Sequence, residues 1–90
     1  MKIQDTVIAI TGGAQGLGAA MALSLASKGA NIALIDMNPE KLSETKKACE
    51  QLGIKAKTYI CNVAKEADVE STFNQIVIDF GQLDGLINNA

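Results

Sequence analysis

Four short apolar segments alternate with three helix-like segments along the 90 residues. The apolar segments are residues 6–12, 31–36, 55–62 and 83–90. The first two are almost continuously apolar, which is typical of parallel strands covered on both faces. Glycine accepts the left-handed backbone that ends a helix, so Gly29, Gly53 and Gly81 mark the helix ends. The alternation therefore predicts a parallel sheet with helices on both of its faces.

The three helical segments differ in their start signals and in their apolar faces. The first runs from near Gly16 to Lys28 and is apolar nearly all round, with small residues that permit close packing on a sheet. The second begins at Asn38 as a cap, followed by Pro39 and Glu40, which suit the first helical turn. Its predicted buried face contains Leu42, Thr45, Cys49 and Leu52. The third spans about residues 66–80, and its predicted buried stripe contains Val69, Phe73, Ile76, Val77 and Phe80.

Composition and charge exclude several classes of function. The length allows one small domain at most. The net charge is −2, and the cations are eight lysines without any arginine, so no basic surface for nucleic acid or anionic membrane is predicted. No apolar run approaches the roughly 18 residues of a transmembrane helix, and the N-terminus lacks a signal-peptide cleavage site. We therefore expect a cytoplasmic globular protein with neither nucleic acid nor membrane as a partner.

The cysteine and histidine content argues against metal and triad chemistry within these residues. Cys49 and Cys61 lie twelve residues apart, a spacing that matches no metal-binding pair and no C-x-x-C redox motif. They are predicted to be free, buried thiols. The sequence contains no histidine, so it can form no histidine-based triad and no histidine-ligated metal site.

Residues 9–22, AITGGAQGLGAAMA, contain glycines in a G-x-x-x-G-x-G pattern. A glycine-rich run can simply be a flexible connection, but this one leaves a predicted strand and opens a predicted helix. Gly12 would let the chain turn, Gly16 would leave room for a pyrophosphate, and Gly18 would let the helix pack closely on the strand. A phosphate-binding P-loop would need G-K-[ST] where GLG stands. The run therefore predicts a turn that binds the diphosphate of a dinucleotide.

Asp36 closes the second apolar segment, eighteen residues after Gly18. A carboxylate there can accept hydrogen bonds from the ribose hydroxyls of adenosine and would repel a 2′-phosphate. A site for NADP usually supplies Arg or Lys beside the ribose, whereas Gln15 and Met37 occupy the neighbouring positions here. NAD is therefore favoured over NADP. The structural alternative for Asp36 is a solvated carboxylate at the end of a strand.

Three short motifs, in the same order, resemble those of the short-chain dehydrogenase/reductase family. TGGAQGLG (11–18) resembles the family's T-G-x-x-x-G-x-G signature, and LINNA (86–90) resembles the start of its N-N-A-G motif. CNV (61–63) stands where the family usually has Asp-Val. The resemblance implies a Rossmann-type doubly wound α/β fold, of which residues 1–90 supply the first four strands, in the order 3-2-1-4, and three helices. They would then form an incomplete domain, an NAD(P)-binding half-domain that is the N-terminal part of a longer single-domain chain.

The resemblance also implies which positions contact the cofactor. The implied contacts are Gln15, Gly16 and Leu17 at the pyrophosphate, Asp36 and Met37 at the ribose, Asn62 and Val63 at the adenine, and Asn89 and Ala90 along the fourth strand. Asn62 replaces the family's commoner Asp. Its side-chain carbonyl can still accept a hydrogen bond from the adenine amino group.

The residues that carry out the family's chemistry are expected beyond Ala90. The family uses a Ser, a helix Asn, and a Tyr and Lys in Y-x-x-x-K spacing, all after the N-N-A-G motif. The only tyrosine is Tyr59, and the residue four positions later is Val63. Tyr59 is therefore expected to be a strand residue, and no catalytic residue is assigned.

The resemblance implies that the complete protein moves hydride between NAD and a carbonyl or alcohol substrate. Some 3-oxoacyl-[acyl-carrier-protein] reductases of the family share the Asn-Val pair, which makes a 3-oxoacyl thioester one candidate substrate. A homo-oligomer, a dimer or a tetramer, is expected for the complete chain. The alternatives are a nucleotide-binding module without chemistry and an inactive fragment that self-associates through the edge of its fourth strand.

Overall fold

A computed structural model describes residues 2–89, in which strands and helices alternate strictly. The strands are β1 (Val7–Thr11), β2 (Asn31–Asp36), β3 (Ala56–Ile60) and β4 (Gly85–Asn88). The helices are α1 (Gly16–Ser27), α2 (Pro39–Glu50) and α3 (Glu66–Phe80). The predicted order of elements is confirmed.

The four strands form one parallel sheet in the order β3-β2-β1-β4. In the centre of the sheet, Ile10 of β1 lies opposite Leu34 of β2 and Ile87 of β4. The predicted order 3-2-1-4 is confirmed. The chain winds outward from β1 to β3 and then crosses back to β4, so the strand order reverses between β1 and β4. In open α/β sheets, ligands bind beyond the carboxyl ends of the strands at this switch point.

Helices cover both faces of the sheet, as the apolar central strands predicted. On one face, side chains of β1 and β2 pack against α1 and α2; the fully buried members include Ile10, Ile32, Leu34, Ala22, Leu42 and Cys49. On the other face, Val7, Ala9, Ala33 and Ile35 pack against α3. Burial of each large aliphatic side chain contributes roughly 1.5–3 kcal/mol. The two central strands are apolar except at their ends, because neither of their faces meets water along their middle.

The ends of the helices follow the sequence signals. The Asn38 side chain caps α2 by accepting a hydrogen bond from the Lys41 N–H at 3.1 Å, and Pro39 occupies the first turn. Gly29, Gly53 and Gly81 have φ values of +92°, +91° and +81°. These left-handed conformations confirm the predicted ends of α1 and α3, whereas α2 ends at Glu50, three residues before Gly53.

Two residues lie outside the buried faces predicted for them. Leu52 is half-exposed because α2 ends at Glu50, so Leu52 belongs to the following turn and not to the helical face. Val77 is also half-exposed. It lies at the margin of the α3 stripe, whose centre is Ile76, and α3 is the only helix among residues 2–89 on its side of the sheet.

Cys49 and Cys61 are free and buried, as predicted. Burial, together with the nearby Glu50 carboxylate, raises the pKa of the Cys49 thiol. Within residues 2–89, no group of acidic, cysteine or histidine side chains could hold a metal ion. No helix in this range has the length and apolarity needed to cross a membrane.

Tyr59 joins the edge strand β3 to α3. Its hydroxyl donates to the Asp79 carboxylate at 2.8 Å, and the Gln75 amide donates to the other oxygen of that carboxylate at 2.9 Å. Lys55 donates to the Asp79 backbone carbonyl and lies 4.7 Å from the centre of the Phe80 ring. The hydrogen bonds from Tyr59 and Gln75 lower the pKa of Asp79, while burial and this carboxylate raise the pKa of Tyr59. Tyr59 is thus a strand residue with a structural partner, as expected.

Replacing Tyr59 with Phe should destabilise the protein in a pH-dependent way. The folded pKa of Asp79 is below its ordinary value of 3.8, so the contribution of this pair is present above about pH 4 and is lost as the pH falls through the lowered pKa. We expect urea to unfold Tyr59→Phe at a lower concentration than the parent at pH 7, with the difference shrinking toward pH 2–3. Thr58→Val, which removes an exposed hydroxyl from the same strand, is the control and should show no such trend. A Tyr59→Phe difference that stays constant with pH would contradict this role.

Candidate functional site

Thr11 connects the carboxyl ends of β1 and β4. Its hydroxyl donates to the Asn88 side-chain oxygen at 3.0 Å and accepts from the Asn89 N–H at 2.9 Å. Thr11 is buried, although it is polar and ends an apolar strand. The hydroxyl therefore fixes the start of the glycine-rich turn relative to the chain leaving β4.

The glycine-rich turn, residues 12–16, brings α1 unusually close to the end of β1. Gly12 has a φ of +67°, so the chain turns sharply off the strand. A Cβ atom on Gly18 would overlap the Gly12 carbonyl oxygen and would lie 2.8 Å from the Asn89 side-chain nitrogen. A Cβ on Gly12 would lie 2.9 Å from the Asn89 carbonyl oxygen. Side chains are thus excluded where the turn, α1 and the end of β4 meet.

Gly16 faces open space at the start of α1. Apart from its chain neighbours and the adjoining backbone of α1, no heavy atom lies within 4 Å of the position that its Cβ would take, and its φ is +61°. No side chain caps α1, and its first turn contains no acidic residue, in contrast to α2 with Asn38 and Glu40. The first N–H groups of a helix carry partial positive charge and lack intrahelical partners. This end of α1 therefore suits an anion.

The backbone of Ala14, in the middle of the turn, is held from two sides. Its N–H donates to the Asp36 carboxylate at 3.1 Å, and its carbonyl accepts from the Thr45 hydroxyl at 3.1 Å. The other Asp36 oxygen accepts from the Met37 N–H at 2.7 Å. Asp36 thus orders both the turn and the end of β2.

The remaining predicted residues lie at the same edge of the sheet, some of them exposed. Leu17 and Met37 are 67% and 61% exposed, and Val63 is also exposed. The Asn62 side-chain oxygen accepts from the Ala64 N–H at 3.0 Å. Residues 2–89 enclose no cavity at this edge. Ala90 lies outside the described residues.

The structure brings several of the predicted site residues together, but direct contacts join only some of them. Gly12, Gly18 and Asn89 converge, and Asp36 reaches the turn through Ala14. The cofactor contacts assigned to all these positions stay predictions.

Three polar residues of the site were not among the predicted site residues: Thr11, Thr45 and Asn88. Two of them carried a signal in the sequence. Thr11 ends an otherwise apolar strand, and Thr45 lies on the buried face of α2 between Leu42 and Cys49. A polar side chain on a buried face needs a partner. That rule points to such residues, although it does not name their partners.

Residues 6–90 match the protein family described as short chain dehydrogenase. Human 15-hydroxyprostaglandin dehydrogenase [NAD(+)] is 40% identical over 92 residues, which cover 100% of this chain and 35% of that protein. Levodione reductase of Leifsonia aquatica is 38% identical over 91 residues, covering 99% of this chain and 34% of that protein. The chain thus spans about a third of the length of these relatives.

Solved structures give the same picture of the fold. NAD+-bound xylitol dehydrogenase superimposes with a TM-score of 0.96 at 40% identity, covering 100% of this chain and 35% of that one. Carveol dehydrogenase from Mycobacterium avium in complex with NAD superimposes with a TM-score of 0.94 at 29% identity, covering 99% and 36%. The arrangement of strands and helices described above is therefore that of the solved dehydrogenases.

The sign of the stability change in Gly18→Ala tests the close approach of α1 to β1. In an ordinary helix, replacing glycine with alanine stabilises by up to about 1 kcal/mol. Here the added methyl group would meet the Gly12 carbonyl, so we expect a destabilisation of roughly 1–3 kcal/mol or more in urea unfolding. A variant as stable as the parent, or more stable, would show that α1 does not lie this close.

Proposed function

The chain belongs to the short chain dehydrogenase family, and from this premise we propose that residues 1–90 form the NAD-binding N-terminal part of an oxidoreductase. The complete protein would transfer hydride between a nicotinamide cofactor and a carbonyl or alcohol carbon. One observation carries the proposal. The uncapped start of α1, with Gly16 facing open space, lies at the same edge of the sheet as the Asp36 carboxylate, and the two are connected through the Ala14 backbone.

The turn suits the diphosphate of NAD by charge and by space. The N–H groups at the start of α1 would donate to phosphate oxygens, aided by the helix dipole. Residues 2–89 supply no hydrogen-bond acceptor for the Gln15 N–H, which leaves that donor free for a ligand. A side chain on Gly16 would occupy open space at the start of α1, where these donors lie. Gln15, Gly16 and Leu17 are therefore proposed to line the diphosphate.

Asp36 suits the adenosine ribose of NAD better than that of NADP. Each of its carboxylate oxygens accepts one backbone N–H and keeps a lone pair for a ribose hydroxyl. Its negative charge would repel a 2′-phosphate, and the exposed neighbour Met37 offers no cation to offset the repulsion. The preference for NAD is supported by the NAD(+) in the human relative's name and by the NAD-bound xylitol and carveol dehydrogenases.

The adenine and nicotinamide ends would contact the loops after β3 and β4. Cys61 N–H donates to the Asp36 carbonyl at 3.1 Å, which sets Asn62 and Val63 beside the end of β2. The Asn62 side-chain oxygen already accepts the Ala64 N–H with one lone pair. Its other lone pair, or the N–H of the side-chain amide, would therefore form the hydrogen bond to adenine. Asn89, with Ala90 after it, would border the cofactor beyond β4.

The complete protein would supply the rest of the reaction. NAD, when bound, supplies a hydride acceptor, and NADH a hydride donor. Tyr59, whose hydroxyl is bonded to Asp79, is not proposed as an acid or base. The substrate class is a small alcohol or carbonyl compound; a 3-oxoacyl thioester stays a prediction that none of the relatives named above specifically supports. A cytoplasmic homo-oligomer is proposed for the complete protein.

NAD binding by the complete protein, measured by calorimetry, tests this function, with Gly16→Asp as the decisive variant. The new carboxylate would stand against the diphosphate, and we expect NAD affinity to fall roughly 100-fold or more through charge repulsion. Gly16→Asn adds the same volume without the charge and should lose less.

Gly53→Asp is the matched control for this experiment, because Gly53 also has a positive φ and open surroundings but lies after α2, away from the site. Its NAD affinity should equal that of the parent. If the complete parent protein binds no NAD at millimolar concentration, the proposed function is wrong.

Asp36→Asn combined with Met37→Arg should shift the cofactor preference toward NADP. Asparagine removes the charge and keeps one oxygen for the Ala14 N–H, although it loses the bond from the Met37 N–H, and the arginine can pair with a 2′-phosphate. We expect the ratio of NADP to NAD affinity to rise about 10- to 100-fold. Met37→Arg alone, with the carboxylate retained, should give a smaller rise. An unchanged ratio in the double variant would contradict the ribose assignment.

A further inference from the structure

We propose that Thr45, on α2, is a positioning residue that holds the diphosphate-binding turn in its binding conformation. This inference rests on the proposed function and deepens it, since Thr45 would act without touching the cofactor. The contact that suggests it is the hydrogen bond from the Thr45 hydroxyl to the Ala14 carbonyl, at 3.1 Å between residues 31 positions apart in the chain.

This hydrogen bond is buried, and few other groups compete for the Thr45 hydroxyl or the Ala14 carbonyl. Thr45 is 6% exposed and Ala14 is 4% exposed, so water does not readily replace the hydroxyl. The hydroxyl also lies 3.2 Å from the Lys41 carbonyl, four residues earlier in α2. That carbonyl can already accept the intrahelical N–H of Thr45, whereas no other group among residues 2–89 donates to the Ala14 carbonyl. The hydroxyl has only one proton to donate, and the Ala14 carbonyl is therefore its favoured acceptor.

Fixing this carbonyl also fixes the direction of a donor. A trans peptide is planar, so its C=O and N–H point in opposite directions. With the Ala14 carbonyl directed to α2, the Gln15 N–H of the same peptide is directed away from α2. Asp36 fixes the preceding peptide in the same manner by accepting the Ala14 N–H.

Together Asp36 and Thr45 hold two consecutive peptide planes, Gly13–Ala14 and Ala14–Gln15, just ahead of the start of α1. A turn that is ordered before binding need not lose that conformational freedom when the ligand arrives. Removing the Thr45 hydroxyl should therefore weaken binding of ligands that contain the diphosphate. It should leave interactions that involve only adenosine largely unchanged.

Thr45→Val, which keeps the shape and removes the hydroxyl, tests the proposal in the complete protein. Binding of NAD, ADP and adenosine is measured by calorimetry. We expect affinity for NAD and for ADP to fall about three- to tenfold, the range that the loss of one hydrogen bond gives, with adenosine affinity within twofold of the parent. Thr45→Ser, which keeps the hydroxyl, should restore NAD affinity to within about twofold.

Thr72→Val is the matched control, because Thr72 is also buried but lies on α3, across the sheet. Its affinities should equal those of the parent. Unchanged NAD and ADP affinity in Thr45→Val would overturn the proposal, and so would an equal loss for adenosine, which indicates general damage to α2. If Thr45→Val does not fold, Thr45→Ala replaces it with the same criteria. If the parent protein binds none of the ligands, the proposed function itself is wrong. That result differs from one in which the parent binds NAD and Thr45→Val binds it equally well, which contradicts only the role of Thr45.

Discussion

The close approach between the end of β1 and the start of α1 is the constraint on which the rest of the site depends. The Gly12 carbonyl and Gly18 lie so near each other that only a glycine fits at position 18. The same crowding involves Asn89, so the chain leaving β4 is part of the junction. Parallel pairing of β1 with both β2 and β4 brings the three strand ends to one edge. The junction then fixes where the first N–H groups of α1 lie relative to that edge.

Asp36 connects the stability of this edge with its proposed selectivity. Both carboxylate oxygens accept backbone N–H groups, one from the glycine-rich turn and one from Met37. The carboxylate whose charge would disfavour a 2′-phosphate is therefore the same group that orders the turn. A change in cofactor preference at this position must keep an acceptor for the Ala14 N–H.

Much of the fold could be predicted from local pattern alone. The strand and helix order, the left-handed glycines that follow each helix and the cap at Asn38 all follow from residues close together in sequence. The predicted buried faces were wrong at Leu52 and Val77. Periodicity extends a buried face along the sequence, but it does not show where the helix ends or how wide the surface is that the helix packs against. The local sequence pattern therefore predicts the helices and strands, whereas tertiary packing decides how far their buried faces extend.

The sequence by itself determined the α/β alternation, the glycine spacing of the turn and the position of an acidic residue at the end of β2, because each depends on local backbone preference or on a fixed spacing. Only the tertiary structure decided which polar groups hold that turn. Thr11 meets Asn88 across 77 positions, and Thr45 meets Ala14 across 31. Hydrogen bonds between residues so far apart depend on strand register and helix placement, which emerge only when the sheet and its covering helices pack together.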